Sequence, residues 1–564
     1  MYILGIYDGH DAGTALLEDD KIVFAANEER YTGRKLEVRF PYNSIRAALG
    51  HAGLKPSDID VVAFPTLELV KFISRIMPAE QERYYLFRRR KTGKPFSEAR
   101  YVIPKYGTTS LGILPMSALA NRLLISRKLR SLGFIAAKVY GVEHHMAHAA
   151  TAAFTSGLRK ALVITSDGYG DGLSGTISVL DNGELERMSS ISARDSLGIF
   201  YEQATHLSGM RSLEDEGKLM AMAEYSFPFA YNQNKLRAFF TTEGSRIRAK
   251  YGGISQYHML DKISWGLPRE QFAYMVQQVL EENLSKLVLA SIEEHGLGDL
   301  AMAGGTFANI KANMRINALA AVKSSYIFPH MGDGGIAMGA AMYANYLING
   351  TTSYALENIY LGDSYPEERI SSALSKAKGL KYELDGDVAG HAAELINEDN
   401  YVFWFQGRME YGPRALGNRS ILAKSGSATA KNKLNMSVKQ REWYQPFAPS
   451  ILYGDSDKIL EGIKGHDRFM TMCYKVRPSS RKLLASVMHI DNTARAQIVG
   501  KECGPYHELL KKVKRMQKYG AVLNTSFNVH GSPIVNTPEE AIKTMRMTGT
   551  QHMFMGNYFV EARK

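Results

Sequence analysis

Two cysteines in 564 residues, Cys473 and Cys503, cannot make a disulfide framework or a cysteine zinc site. That scarcity suits a reducing cytosol, and a cytoplasmic protein is expected. No apolar run reaches the ~18 residues of a membrane helix, so no membrane partner is expected. The first residues, MYILGIYDGHDAG, lack the basic and long apolar regions of a signal peptide. Composition shows no extreme either: 45% hydrophobic and 22% charged residues describe an ordinary globular chain. Its length exceeds what one core supports, so two or more domains are expected. The formal charge of +12, from 69 basic against 57 acidic residues, suits anionic small ligands and says nothing about fold.

What the chain does have is concentrated in GVEHHMAHAATAAFTSGLRKALVITSDGYGDG, Gly141 to Gly172. His144 and His148 are four apart at the start of an Ala-rich, helix-favouring run, so both imidazoles can share one helical face. Gly157 can end that helix. The apolar run ALVIT then predicts a strand delivering Asp167 to a sheet edge, where ligands bind in α/β folds. Two imidazoles and a carboxylate suit a divalent transition metal, although the pattern alone also describes two satisfied histidines beside a turn.

Residues 2–30 and 161–186 share one order: strand, Asp-Gly loop, strand, acidic or Asn-Gly turn, strand. Asp8 falls opposite Asp167, an internal repeat spaced by about 160 residues. Two glycine loops facing each other would make a cleft able to hold an anion. Between the repeats, Asn43–Gly53 and the segment around Ser117–Leu132 read as helices opening on capping residues. The run Arg83 to Lys94, RYYLFRRRKTGK, mixes aromatic and basic residues, which could bind an anion but reads more simply as a solvated insertion; no nucleic acid is expected.

Further on, Glu216-Gly217-Lys218 opens an apolar helix, a plausible phosphate or ribose site. Residues 270–297 form a long amphipathic helix. Gly304-Gly305 would allow a flat ligand close to the backbone, and Asp333 sits among glycines before a helix as a candidate fourth metal ligand. Residues 346–360 resemble a linker. Beyond it, Arg408, Arg414, Arg419, Lys439, Arg441 and Arg495 lie in or near glycine-rich loops beside buried strands, with few carboxylates nearby. AVLNTSFNVHGSPIV, 521–535, reads as strand, polar loop and strand. Such arginines favour a phosphate site over a set of salt bridges.

Ten motifs in one order carry a resemblance: GHDAGTALLEDDKIVFAANEER, EHHMAHA, SDGYGDG, EDEGKLMAMA, AGGTFANIK, MGDGGIAMGAA, GRMEYGPRALGNRSILA, KQREWYQPFAPSIL, HIDNTARAQIV and LNTSFNVHGSPIV. The chain resembles the O-carbamoyltransferases of nodulation and antibiotic biosynthesis, the tobramycin carbamoyltransferase type. The resemblance implies an α/β protein with a duplicated actin-like, sugar-kinase-like N-terminal domain, residues 1–350, and a YrdC-like α/β C-terminal domain, residues 358–564. It implies that the C-terminal domain makes carbamoyl-adenylate from carbamoyl phosphate and ATP with Mg. The N-terminal domain would then pass the carbamoyl group to a hydroxyl on a small acceptor.

Residue by residue, the resemblance makes His144, His148, Asp167 and Asp333 ligands of a divalent metal, Fe(II) in the family, and pairs His10, as general base, with Asp11. Glu216, Lys218, Gly304, Gly305 and Asn309 would hold the adenylate. Lys439 with Arg441 and Ser526 with Asn528 match the Lys-x-Arg and Ser-x-Asn pairs of the synthase domain. Arg414, Arg419 and Arg495 would hold phosphates, with His530 standing where relatives often have an arginine. Leu36 stands where many relatives have histidine, so the acceptor stays open. Two other readings compete: a metal- and ATP-dependent phosphotransferase using only the first domain, and a non-catalytic nucleotide-binding scaffold.

Overall fold

The computed structural model describes residues 1–91, 114–465 and 467–562. Its first sheet starts where the apolar run YILGIY forms β1 (Tyr2–Tyr7), paired antiparallel with β2 (Gly13–Glu18), which pairs antiparallel with β3 (Lys21–Asn27). On its other edge β1 pairs parallel with β4 (Val61–Pro65), and β4 pairs parallel with β5 (Lys138–Val142). A second sheet holds β6 (Lys160–Gly170), β7 (Leu173–Asp181) and β8 (Glu184–Ser192). The hairpin of β9 (Phe240–Glu243) and β10 (Arg246–Ala249) is a sheet of its own. Parallel strands β11 (Asp299–Ala303) and β12 (Ser324–Ile327) complete the second sheet on the free edge of β6.

The strand orders are β3-β2-β1-β4-β5 and β8-β7-β6-β11-β12, the same topology twice with the same mix of antiparallel and parallel pairs. Each fifth strand leads to a helix, His144–Thr155 after β5 and Ile336–Asn349 after β12. Small residues let these helices touch backbone to backbone. A Cβ on Gly339 would lie 1.9 Å from the Ala147 carbonyl oxygen, and one on Gly5 of β1 would lie 1.9 Å from that of Ala337. Alanines and glycine therefore set the distance between the two halves, and with it the distance between the side chains at the two helix starts.

The described residues divide into two compact units, Met1–Glu28 with Leu36–Leu356, and Glu29–Lys35 with Glu357–Lys564. The second unit is built on an eight-stranded mixed sheet. Its middle strands, Val402–Phe405, Arg419–Lys424 and Ala521–Ser526, pair antiparallel in that order. Among the described residues no helix is long and apolar enough to cross a membrane.

Several local expectations change. Residues 346–349, expected in a linker, are the last turn of Ile336–Asn349, closed by Gly350 at φ 71°. The first inter-repeat helix is Tyr42–Ala52 without a side-chain cap of its own; the Glu28 carboxylate accepts from the Asn43 and Ser44 amides instead. SPIV, residues 532–535, is not a strand: the Val535 amide bonds to the Phe527 carbonyl and closes the polar loop.

The basic run departs most from a solvated insertion. Arg88 pairs with Glu202 at 2.5 Å, and Arg89 and Lys91 pair with Glu214 at 2.6 and 2.7 Å. Residues 92–94 of the run lie outside the described residues. The Glu214 side chain is fully buried and Arg89 nearly so. Glu214→Ala would remove the buried carboxylate shared by Arg89, Lys91 and Arg211, and a loss of about 3 kcal/mol is expected. A thermal-unfolding midpoint unchanged from wild type would contradict this.

Candidate active site

Helix geometry puts His144 and His148 on one face, with their rings 4.9 Å apart. Asp167 comes from β6, just past Ser166, where the pairing with β7 becomes irregular, and Asp333 from the glycine turn before Ile336–Asn349. His144 Nε2 lies 3.4 Å from Asp167 Oδ2 and 3.5 Å from Asp333 Oδ1. His148 Nε2 lies 4.0 and 3.5 Å from the same two atoms. Two ligands each about 2.1 Å from one ion stand at most about 4.2 Å apart, so all four distances admit one ion.

The buried His148 Nε2 has no hydrogen-bond partner. Burial alone would lower the His144 imidazole, but Asp333 and Asp167 outweigh it and lift it to about 10. The carboxylates thus draw positive charge into a closed site, a demand that a divalent cation fits as well as a proton does.

The shell around these four is specific. Tyr7 Oη donates to Asp333 Oδ2 at 2.6 Å, and the Gly305 amide donates to Asp167 Oδ1 at 2.7 Å. Thr66 Oγ1 is 3.1 Å from His144 Nδ1, and the His144 amide donates to Asp171 Oδ2 at 2.9 Å. His10 Nδ1 stands 3.5 Å from Asp333 Oδ2 without a hydrogen bond. Burial holds the His10 imidazole below its ordinary value despite the pull of Asp333, so it is neutral near pH 7. Asp11 has a left-handed backbone, φ 64°, and its carboxylate accepts from Asn27 Nδ2 at 3.2 Å, a turn-holding placement. Asp8, the repeat equivalent of Asp167, is paired instead with Lys71 and Arg75, both at 2.9 Å.

A cavity of about 120 Å³ opens over this set, lined by His10, His144, Asp167 and Asp333 and walled by Tyr84, Tyr85 and Arg88. The Tyr85 ring stacks on His10, centroids 5.0 Å apart and planes 26° from parallel. The aromatic run thus belongs to the cavity wall. Nothing local in the sequence ties Tyr85 to His10, Tyr7 to Asp333 or Thr66 to His144; only folding makes these pairs.

The adenylate candidates are scattered in role. Gly304 takes φ 108°, and a Cβ there would lie 2.1 Å from the Ser166 carbonyl oxygen. A Cβ on Gly305 would lie 2.6 Å from Asp167 Oδ1, so both glycines serve the approach to the Asp167 strand. Asn309 caps Ile310–Asn317 through the Ala312 amide at 3.0 Å. Lys218 lies 3.3 Å from Asp215. Glu216 accepts from the Leu213 amide, and burial, with Glu202 nearby, pushes it up to about 8.

In the second unit, Lys439 Nζ donates to Ser526 Oγ at 3.2 Å and to Asn528 Oδ1 at 2.7 Å, joining the two pairs the sequence singled out. Burial pushes Lys439 well down, helped by Arg441 and Lys35. Arg441 donates to Thr525 Oγ1 at 2.7 Å; burial and then Arg414 lower it to about 10. Arg495 is likewise lowered by burial and Arg414. Among the described residues no ion pair joins a carboxylate to Arg414, Lys439, Arg441 or Arg495, and the like charge of Arg414 bears on both Arg441 and Arg495. Arg414 and His530 are exposed.

Arg419 is held largely by backbone oxygens, with its buried Nε left without a hydrogen-bond partner. It is fully buried, donates to the Gln406, Gly407 and Asn418 carbonyls, and stacks on Phe405 at 3.6 Å. Arg408 likewise donates to the Leu361 and Gly362 carbonyls. Backbone oxygens take several of the Arg419 donors without neutralising its charge, and burial still lowers the guanidinium to about 10.

The family model described as carbamoyltransferase N-terminus matches residues 2–342, more than half of the chain. The chain belongs to the carbamoyltransferase family. The model described as carbamoyltransferase C-terminus matches residues 393–562 of this carbamoyltransferase. Nodulation protein NolNO of Sinorhizobium fredii is 31% identical over 98% of this chain and 79% of its own length. An uncharacterised protein of Methanocaldococcus jannaschii is 31% identical over 100% of this chain and 99% of its own. The 3'-hydroxymethylcephem-O-carbamoyltransferase of Streptomyces clavuligerus is 31% identical over 46% of this chain and 48% of its own. The protein is a carbamoyltransferase enzyme, and its family implies a carbamoyl donor and a hydroxyl-bearing acceptor.

Proposed function

We propose that this carbamoyltransferase works in two stages, one in each unit. In the second unit, residues 358–564 in the sequence division, water cleaves carbamoyl phosphate to carbamate and phosphate, and a carbamate oxygen attacks the α-phosphorus of ATP with Mg, giving carbamoyl-adenylate as pyrophosphate leaves. In the first, residues 1–350, an acceptor hydroxyl takes the carbamoyl group and AMP leaves. The observation that carries this reading is that each unit holds its own constellation: an anion-seeking cluster of Lys439, Arg441, Arg495 and Arg414, and a cation-seeking set of two histidines and two aspartates. A phosphotransferase confined to the first unit leaves the cationic cluster without a use. We assign the doubled sheet topology to the actin-like class and the second unit to the YrdC-like class.

In the first stage Lys439, anchored on Ser526 and Asn528, and Arg441, held by Thr525, face the phosphates together with Arg495 and Arg414. Arg419 shapes the loop from within. In the second stage His144, His148, Asp167 and Asp333 would hold a divalent metal, Fe(II) in first place, which supplies Lewis-acid polarisation of the carbamoyl group when bound. The neutral His10 imidazole accepts the acceptor's hydroxyl proton as its oxygen attacks the carbamoyl carbon. The bond from that carbon to the adenylate oxygen breaks, and AMP departs as the anion. Glu216, Lys218 and Asn309 border the proposed adenylate site through the segments they fix. The acceptor is a small hydroxyl-bearing molecule, as the hydroxymethyl cephem is for the Streptomyces relative.

Carbamoyl-phosphate-dependent exchange of pyrophosphate into ATP tests the first stage; its absence from the active full-length protein would refute it. For the metal set, His148→Ala is expected to lose the bound divalent ion, one per chain in wild type by elemental analysis. Equal metal content in both proteins would remove the assignment.

A further inference from the structure

Thr66 follows β4 and has φ 70°, a left-handed conformation that β-branched residues rarely adopt. Its backbone is held there from several sides. The Thr66 amide donates to the Val142 carbonyl at 3.1 Å, and Arg75 Nη1 donates to the Thr66 carbonyl at 3.3 Å. The next two amides, of Leu67 and Glu68, donate to Asp171 Oδ1 at 2.7 and 2.8 Å, and the other oxygen of that carboxylate takes the His144 amide. Asp171 thereby clamps the 66–68 turn to the first residue of the histidine helix. The clamp presents Thr66 Oγ1 to His144 Nδ1 at 3.1 Å, both side chains being buried.

A glycine would occupy this conformation without strain. What threonine adds at this place is the hydroxyl. His144 Nε2 faces Asp167 and Asp333, so a cation held there requires a lone pair on Nε2 and the hydrogen on Nδ1. Nδ1–H then donates and Thr66 Oγ1 accepts. Ligating histidines are ordinarily fixed by such a partner on the other ring nitrogen, and losing it weakens metal binding by about 10–100-fold.

We propose that Thr66 is a positioning residue that fixes the tautomer and ring plane of His144 for metal binding. This rests on the metal reading of the four-residue set. The test is competitive titration of the metal-stripped full-length protein with Zn(II) and a chromophoric chelator, with no catalytic readout. Thr66→Val keeps the side-chain volume and removes the acceptor; Zn(II) affinity should fall by about 10–100-fold. Thr66→Ser should bind close to wild type. Thr66→Gly relieves the backbone but lacks the hydroxyl, and should bind as weakly as the valine variant.

Wild-type affinity in Thr66→Val, or recovery in Thr66→Gly, overturns the proposal. A thermal midpoint measured with chelator present identifies a valine variant that has not folded, in which case the serine and glycine variants decide. If wild type and His148→Ala bind Zn(II) equally, the metal reading itself has failed. If they differ but Thr66→Val matches wild type, only the role of Thr66 has failed.

Discussion

Arg441→Ala is expected to eliminate carbamoyl-phosphate-dependent ATP–pyrophosphate exchange, while His144→Ala is expected to leave that exchange intact and to stop transfer. Arg441 is lowered to about 10 by burial and by the like charge of Arg414, so the cluster is held together at a cost that an anion removes. Its side chain is aimed by Thr525 and lies over the Phe447 ring at 4.4 Å, which restricts the guanidinium to one direction. Truncation removes both charge and aim, and positioned charge supplies most of the catalysis at phosphoryl centres. His144 belongs to the other unit. Exchange measured on both folded variants decides: a His144 variant without exchange would show that the two stages are not divided between the units.

His10→Asn should reduce single-turnover transfer from preformed carbamoyl-adenylate by roughly 10²–10⁴-fold, the usual worth of a positioned base. Folding, metal content and exchange should be unchanged. The His10 imidazole is neutral near pH 7 because burial outweighs the attraction of Asp333, and an acceptor hydroxyl is scarcely ionised there. Its ring is pinned on one face by Tyr85, itself backed by the Arg88 guanidinium 5.5 Å from its centroid. Asparagine keeps polarity and hydrogen bonding but has no useful basicity. Near-wild-type transfer in the asparagine variant would return His10 to a structural role in the β1–β2 turn.

Features written in local patterns were legible in the sequence. His144 and His148 are one helical turn apart, and the strand–loop–strand order around Asp8 and Asp167 reads as a repeat without any contact map. Lys439, Arg441, Ser526 and Asn528 could be paired through the resemblance, and they meet in the structure. What stayed hidden depends on groups far apart in sequence or on the backbone. Thr66 meets His144 across 78 residues and Tyr85 meets His10 across 75, with no periodicity to announce either pair. For Arg419 a sequence displays the side-chain charge and conceals the carbonyl oxygens that take its Nη donors. The basic run looked solvated because its partners, Glu202 and Glu214, lie more than a hundred residues downstream.

The doubled topology of the first unit makes the difference between its two loops a matter of charge. Two halves with one strand order, meeting at Gly339 and Ala147, approximate a molecule with a pseudo-two-fold axis, and such symmetry would offer two equivalent loops, each with an aspartate. The symmetry is broken by charge: Lys71 and Arg75 neutralise Asp8, whereas Asp167 meets two imidazoles and Asp333. One aspartate is committed to internal ion pairs, and the other faces the two histidines. On the proposed metal reading, two cations on the helix Leu69–Ile76 leave only the Asp167 loop to a metal ion.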